Sequence, residues 1–470
     1  MTAITDGAPA IGAAFRQGGP GTMRTLYDDA IHDRSLPTPS YWEATAPESR
    51  PQAQAVDGDV AADVAVIGGG LTGLSCALHL ARDHAIRAHV LEAGPIGWGA
   101  SSRAGGFVCL GAVKLGFGDC VSRFGEDGTR ALWRAQVEAM DLVSDLAQAE
   151  AIDLWRQGDG QYEVAHKPAR MADLAREREG LARYAGLTAE LLSAEAFREV
   201  GHGGTEAFGA LHVPKGFGVH PLRWTWGLAD AAARHGAVLH GRSPVVDWRR
   251  ENGRHRLVTP TGSVLARHVV VATNGYTPDG LLADLDGRPL PMLSNILVTR
   301  PLDDGERAAV PWHTQTPVAN TRIRLFYYRL LADGRVLFGA RGDTTGRPED
   351  GARVLRWMRR RLGDLFPPLR GIAVDFAWRG LVCLLPKRSP AIGRSAADPS
   401  VFYGLGYHGN GMAMAPWTGR ILARLVAGAG AEATLVPAAL RGAGPAVPWP
   451  AGRLWWIRAA LAWYALKDRL

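Results

Sequence analysis

Hydrophobic positions along this chain alternate between two periods. The run DVAVI at 63–67 is short and apolar and reads as a buried parallel strand, and the LSCALHLARDH beyond its glycines has helical spacing. Leu132, Val137, Met140, Val143 and Leu146 recur at helical spacing and predict an amphipathic helix from Glu126 to Glu150. IDLWRQGDGQYEVA predicts two strands around a Gly-Asp-Gly turn, and the charged stretch from Lys167 to Tyr184 an exposed helix. Pro221 opens a further helix, with His220 as its N-cap. VLHGRSPVVDW and VLARHVVVATNGY are strand patterns, the second closing on Ala272, Thr273, Asn274 and Gly275. Strands and a helix fill Pro291 to Ala377, and then the strand VFYGLGY, the turn HGNG and the helix MAMAPWTGRILARLVAG return to the first pattern. The alternation predicts an α/β fold, with ligands at the carboxyl edge of its parallel strands.

Between the first strand and the first helix stand Gly68, Gly70 and Gly73, spaced G-x-G-x-x-G. The first makes a tight turn, the second lets backbone approach a pyrophosphate, and the third lets helix and strand pack closely. The helix start adds free N–H groups and partial positive charge. The next strand ends in Glu92, nineteen residues after Gly73, where an acid accepts from ribose hydroxyls. Together these features predict a dinucleotide site. The connection AGPIGWGASSRAGG after Glu92 brings Ser101, Ser102 and Arg103, small hydroxyls and one guanidinium suited to wrapping a diphosphate. The helix start after His408 to Gly411 falls at the same sheet edge, where its positive end suits negative charge developing on a cofactor ring.

Composition changes this picture only at its margins. A chain of 470 residues implies two domains or two interleaved halves. The net charge of +7 is spread over many arginines with no basic block among aromatics, which excludes a nucleic-acid reading. Cys76, Cys109, Cys120 and Cys383 are scattered without metal spacing, as expected of reduced thiols in a cytoplasmic protein. MTAITDGAPAIGAAFRQGG does not read as a secretion signal, no apolar run has transmembrane length, and residues 1–58 read as an extended lead-in apart from SYWEATA, whose aromatics dock on the body. The tail joins Trp455, Trp456, Ile457, Leu461 and Trp463 to Arg453, Arg458, Lys467 and Arg469, and docking on the protein's own body is favoured over an interfacial membrane helix.

TRIRLFYYRLLADGRVLFGAR reads as a hairpin turning on Asp333-Gly334 as a two-residue loop. That register puts Arg322, Arg324, Phe326, Tyr328, Leu330, Leu337, Gly339 and Arg341 on one face. The expectation is that Arg341, with Arg324 or Arg322, binds an anionic substrate group while Tyr328 lines the pocket; a plain solvated face is the alternative.

SYWEATA, ADVAVIGGGLTGLS, GWGASSRAGG, GVHPL, ATNGY, YYRLLADGRVLFG and GYHGNGMAMAPWTGR resemble the D-amino-acid oxidase superfamily of FAD enzymes, in the branch of gamma-glutamylputrescine oxidoreductase and glycine or sarcosine oxidase-like proteins. The resemblance implies a Rossmann-type FAD-binding domain interleaved with an α+β substrate domain on an antiparallel sheet. FAD-binding parts at 59–118, 211–288 and 376–428 then alternate with substrate parts at 119–210 and 289–375, after the lead-in and before a linker and helix at 429–470. It implies FAD contacts from Gly68, Gly70, Leu71, Thr72 and Gly73, from Glu92 and Ala93, and from Gly99, Ala100, Ser101, Ser102, Arg103, Gly105 and Gly106. Val245 and Val246, Ala272 to Gly275 (with Thr273 and Asn274), and Gly406, Tyr407, His408, Gly409, Asn410, Gly411 and Met412 complete the set. Ala104 and Asn410 depart from the family's G-R-N-G-G and S-G-H-G patterns. Leu337 stands where some members carry an oxygen-activating lysine, and it is directed towards the flavin. Cys383 lies near a covalent attachment point of some sarcosine oxidases but reads as an inert thiol. The implied activity is oxidation of an amine or amino acid to an imine, with oxygen as acceptor. The alternatives are a dehydrogenase or hydroxy-acid oxidase on the same scaffold, or a flavin-binding membrane-associated subunit.

Overall fold

The computed structural model describes residues 26–35 and 38–468, so positions 1–25 and 36–37 of the lead-in expected at 1–58, and Arg469 of the tail, lie outside the described residues. Two eight-stranded sheets dominate. In the first, Gly58–Ile67 pairs in parallel with Gly262–Val271 on one side and Ala88–Leu91 on the other. Val238–His240 extends the parallel set beyond Ala88–Leu91, and Val401–Leu405 joins it beside Gly262–Val271. The inner ends of these strands are fully apolar, as a sheet covered on both faces requires.

Leu71–His84 and Gly411–Val426 cover one face of this sheet together. They touch at Gly419, where an added Cβ would lie 2.5 Å from the Thr72 carbonyl oxygen. The carboxyl edge is tied across long sequence distances. Asn274 accepts from the Gly406 amide at 2.9 Å, and the Thr72 hydroxyl meets the Tyr407 hydroxyl at 2.7 Å.

The second sheet runs Val374–Leu384, Leu290–Thr299, Val336–Arg341, Tyr327–Leu330, Val318–Asn320, Gln161–Val164, Ala210–Val213, Glu190–Leu192. It is mixed rather than wholly antiparallel, because Val318–Asn320 pairs in parallel with Gln161–Val164. Val374–Leu384 stays paired with Leu290–Thr299 along its length, so the boundary expected at 376 falls inside a strand.

Other differences are local. The amphipathic helix spans Phe117–Ala149, broken only at Gly125, whose φ is 71°. Of the two strands expected in 152–165 only Gln161–Val164 forms, because Ala151 and Trp155 turn the chain with φ near 50° and Gln157 makes a single bridge to Gly218. His220 does cap Pro221–Arg234, its side chain accepting from the Arg223 amide. SYWEATA docks as expected: Tyr41 and Trp42 are buried, with the Trp42 indole on the Ala104 carbonyl.

The hairpin departs most. Tyr327 faces Gly339 and Arg329 faces Leu337, one residue out of the expected register. The loop has three residues, Ala332 to Gly334, closed by the Gly334 amide on the Leu331 carbonyl and by Gly334 at φ 78°. A three-residue loop with glycine in the left-handed position is the other hairpin that Asp-Gly can end. A one-residue slip exchanges the two faces of the strand.

Candidate active site

A cavity of about 1120 Å³ lies between the carboxyl edge of the first sheet and the inner strands of the second. That exceeds the ~300–1,000 Å³ usual for small-molecule sites. Its first end is built by the glycine fingerprint. Gly68, at φ 113°, lies so close to Ala272 that a Cβ would come within 2.7 Å of the Ala272 oxygen, and at Gly73 a Cβ would reach the Gly68 oxygen at 2.0 Å. Gly68, Gly70, Leu71 and Thr72 line the cavity, whereas Gly73 is packed behind them. Glu92 lines it too, its carboxylate accepting from Gly69 at 2.7 Å and Gly94 at 3.0 Å while burial raises its pKa.

The loop after Glu92 wraps the middle. Ala93, Gly99, Ala100, Ser101, Arg103 and Gly105 line the cavity, and the Ser101 hydroxyl accepts from the Leu71 amide at 3.0 Å, directly at the helix start. Arg103 stacks on Trp98 at 4.2 Å and donates to the Trp98 and Arg379 carbonyls. Ser102 and Gly106 lie outside the lining. Ser102 is buried with its hydroxyl on the Gly97 carbonyl, and a Cβ on Gly106 would fall 2.1 Å from the Val219 oxygen. Val245 lines the cavity but Val246, its alternating neighbour, points to solvent. Ala272, Thr273 and Asn274 line it, while Gly275 packs on Leu381.

The far end is the turn before Gly411–Val426. Tyr407, His408, Gly409, Asn410, Gly411 and Met412 line it; Gly406, at φ 82°, packs against Leu385 instead. Asn410 donates to the Leu110 carbonyl rather than capping the helix, so its side chain leaves the helix start uncapped. His408 is neutral: burial first, then the Lys114 and Arg341 charges, lower its pKa to about 3, and its Nε2 accepts from the Leu385 amide. Cys383 also lines the cavity, and burial pushes its thiol up to about 12, which keeps it protonated.

The corrected register decides which hairpin residues arrive here. Arg341 and Tyr327 line the cavity, and Tyr328 does not. Tyr328 packs in the core of the second sheet with its hydroxyl 3.1 Å from His202, and Gly339 makes room for the Tyr327 ring, which an added Cβ would meet at 2.0 Å. Leu337 is fully buried behind this wall, opposite Arg329, and does not line the cavity. Arg329 is itself buried, donating to the Val219 carbonyl, and burial drives its pKa down to about 9. Arg322 lines the cavity but is paired with Glu206 at 2.6 Å. Arg324 is turned away, bonding the Arg341 carbonyl and stacking on Trp357.

Arg341 forms no ion pair with any described residue, and burial lowers its pKa. Its guanidinium reaches the turn, since a Cβ on Gly409 would lie 3.4 Å from Nη2. Beside it, Lys114 donates to the Gly111 carbonyl at 2.7 Å and is lowered to about 8, by burial and then by Arg341. Lys114 was missed in the sequence because a lone lysine among apolar residues carries no pattern. The wall residues Trp456, Ile457, Ala460 and Tyr464, from the tail helix, were missed because docking predicts burial but not what is covered.

Residues 63–425 match the family described as FAD dependent oxidoreductase (DAO). The chain is 32% identical over 438 residues to the gamma-glutamylputrescine oxidoreductase of Escherichia coli, covering 92% of this chain and 99% of that one. It is 25% identical over 368 residues to the glycine oxidase of Bacillus subtilis, covering 77% and 92%. The fold matches the crystal structure of glycine oxidase from Geobacillus kaustophilus with a TM-score of 0.64 at 24% identity, over 80% of this chain and 98% of that one. The iminodiacetate oxidase from a Chelativorans species gives 0.65 at 20% identity, over 81% and 100%. The chain therefore belongs to the DAO family of FAD-dependent oxidoreductases, and FAD is its cofactor. The donors present fit that group: a glycine turn that side chains would fill, an acid at the second strand end, and an uncapped helix start at the far end. Among the described residues no helix is long and apolar enough to cross a membrane.

Proposed function

We propose that this protein oxidises the carbon–nitrogen bond of a small amine or amino acid to an imine, and that Arg341 holds an anionic group of the substrate. One observation carries the reading: a guanidinium drawn out of water, facing the cavity with no acid partner among the described residues, beside the turn at Gly409. A carboxylate offers such a group two parallel hydrogen bonds and the missing countercharge. Arg322, already paired with Glu206, is the weaker candidate. The names of the relatives, an oxidoreductase of gamma-glutamylputrescine and an oxidase of glycine, support an amine as the reacting group.

In this reading the close approach at Gly68 and Gly70 and the amide of Thr72 would hold the pyrophosphate of FAD, Glu92 its ribose, and the turn from His408 to Met412 its ring end, while the Leu71 amide stays on the Ser101 hydroxyl. FAD, when bound, would supply the two-electron acceptor for the hydride, with oxygen as the proposed final acceptor. Lys114 and Arg341 put positive potential at that end, which lowers the pKa of a bound amine and favours its neutral form with a free lone pair. Tyr327, held by Ser294 at 3.0 Å, lines the substrate side.

The test is flavin bleaching under nitrogen against amines with and without a carboxylate. Losing one partner of such a pair costs about 2 to 5 kcal/mol. Arg341→Ala should therefore raise half-saturation at least ~30-fold for acid-bearing substrates and leave their amides unaffected. Normal reduction in the variant, or a best substrate without any acid group, would overturn the assignment, and stoichiometric peroxide in air tests oxygen as acceptor.

A further inference from the structure

The tail helix Arg453–Lys467 presents two unlike faces. Arg453, Ile457 and Leu461, at i, i+4 and i+8, are buried; the last two pack on Met292, and Arg453 pairs with Asp279. Just past the helix, the Asp468 carboxylate accepts from the amides of Ile323 and Arg324 at 2.8 and 2.9 Å. The docked position is therefore fixed at both ends.

The opposite face carries Trp455, Ala459, Ala462, Trp463 and Leu466, at i, i+4, i+7, i+8 and i+11, and no charge of the described helix interrupts it. Trp455 is 64% exposed, Trp463 55% and Leu466 49%, and Trp449, just before the helix, is 64% exposed. A contiguous apolar stripe of this kind marks an interaction surface. Its chemistry is specific. Indole rings favour the membrane–water interface, where the ring is in hydrocarbon and the N–H is wet. Arg458 and Lys467 flank the stripe, each stacked on one of its tryptophans, at 5.8 and 5.2 Å, and the whole chain carries +7.

We infer that this face docks the protein onto the surface of a bilayer containing anionic lipids. The 15-residue helix is about 22 Å long, short of a ~30 Å hydrocarbon core, so it lies in the interface. Charge argues against a second copy as the occupant, because self-pairing would gather Arg458 and Lys467 from two chains on a face without an acid. Trp456, Ile457, Ala460 and Tyr464 of the same helix line the large cavity, so docking brings that wall within about one helix diameter, ~10–12 Å, of lipid.

The test is co-sedimentation of the flavin-loaded full chain with phosphatidylcholine vesicles, with and without phosphatidylglycerol, at low salt. The wild type should bind the anionic vesicles with a blue shift in tryptophan emission. Trp455→Gln with Trp463→Gln should weaken partition by at least roughly 30-fold, with flavin content and melting temperature unchanged. Leu466→Glu, an acid on the same face, should reproduce the loss. Failure of the wild type to bind, equal binding by both variants, or a wild-type dimer in light scattering that the double variant dissolves would each overturn the inference.

Discussion

Gly70 and Gly73 stand three residues apart, and substitutions at the two should separate loss of cofactor from loss of fold. Gly70 has φ −93° and ψ −175°, extended backbone open to any residue, and a Cβ there would meet only the Ser101 hydroxyl, at 2.8 Å. Gly73 lies inside the helix, and its Cβ would stand 2.0 Å from the Gly68 carbonyl oxygen and 3.0 Å from a Val66 methyl. A serine side chain can rotate away, but backbone cannot. Gly70→Val should therefore cost the apoprotein no more than about 1 kcal/mol, while its isopropyl group would stand in the cavity at the proposed pyrophosphate site. Forfeiting even ~3 kcal/mol of those contacts lowers FAD affinity more than ~100-fold. Gly73→Ala should instead cost ~3 kcal/mol or more of fold stability, the upper end of overpacking. Deflavinated protein titrated with FAD, followed by flavin fluorescence, gives the affinity, and urea midpoints of the apoproteins give the stability. Wild-type affinity in Gly70→Val, or an undisturbed midpoint in Gly73→Ala, would refute the reasoning.

Tyr328→Phe should leave turnover unchanged and lower stability by about 1 kcal/mol through the lost His202 contact, whereas Tyr327→Phe should alter half-saturation; the reverse pattern in steady-state kinetics would restore the two-residue loop. The Glu177 carboxyl is raised to about 7 by burial and then by Glu163, with Lys114 opposing, so the folded chain keeps a proton that an unfolded glutamate releases above about 4.5. Stability supplied by that proton is lost as pH rises from about 4.5 through 7, and Glu177→Gln should stabilise by on the order of 1–3 kcal/mol near pH 8 but not near pH 4.5. An equal gain in melting temperature at both pH values would contradict this. Leu461→Ala should loosen the docked tail, at a cost of about 2–3 kcal/mol locally, and expose its amides in hydrogen exchange without reducing FAD content. Unchanged protection in the tail would count against docking through Leu461.

What was legible in the sequence was local. The glycine spacing, the apolar run before it and the acid at Glu92 each follow from one stretch of chain, and the structure brings them to one edge. His220 and Pro221 carried their cap in two adjacent letters. The hairpin register was not local. Asp-Gly fits a two-residue or a three-residue loop, and Asp333 is engaged by the Tyr41 hydroxyl from far along the chain. Tyr327 and Tyr328 therefore exchanged faces, while Arg341 stayed on the cavity side in either register because its own strand was placed correctly. Lys114 shows the same limit from another side, since its pairing with the cavity depends on a fold that no neighbouring residue encodes.

The parallel sheet is threaded by three separate passes of the chain, and the order of those passes sets a timetable for synthesis. The turn at His408 to Gly411 leaves the ribosome some 340 residues after Gly73, roughly 20–70 s later at ordinary elongation rates. Until then the strand Val401–Leu405 is missing from its place beside Gly262–Val271, and the helix that packs on Thr72 through Gly419 has not been made. The nascent chain holds an open sheet edge and an uncovered apolar helix through most of its translation. The cavity is thus completed late, because its lining from Tyr407 to Met412 and from the tail helix is made only in the final pass.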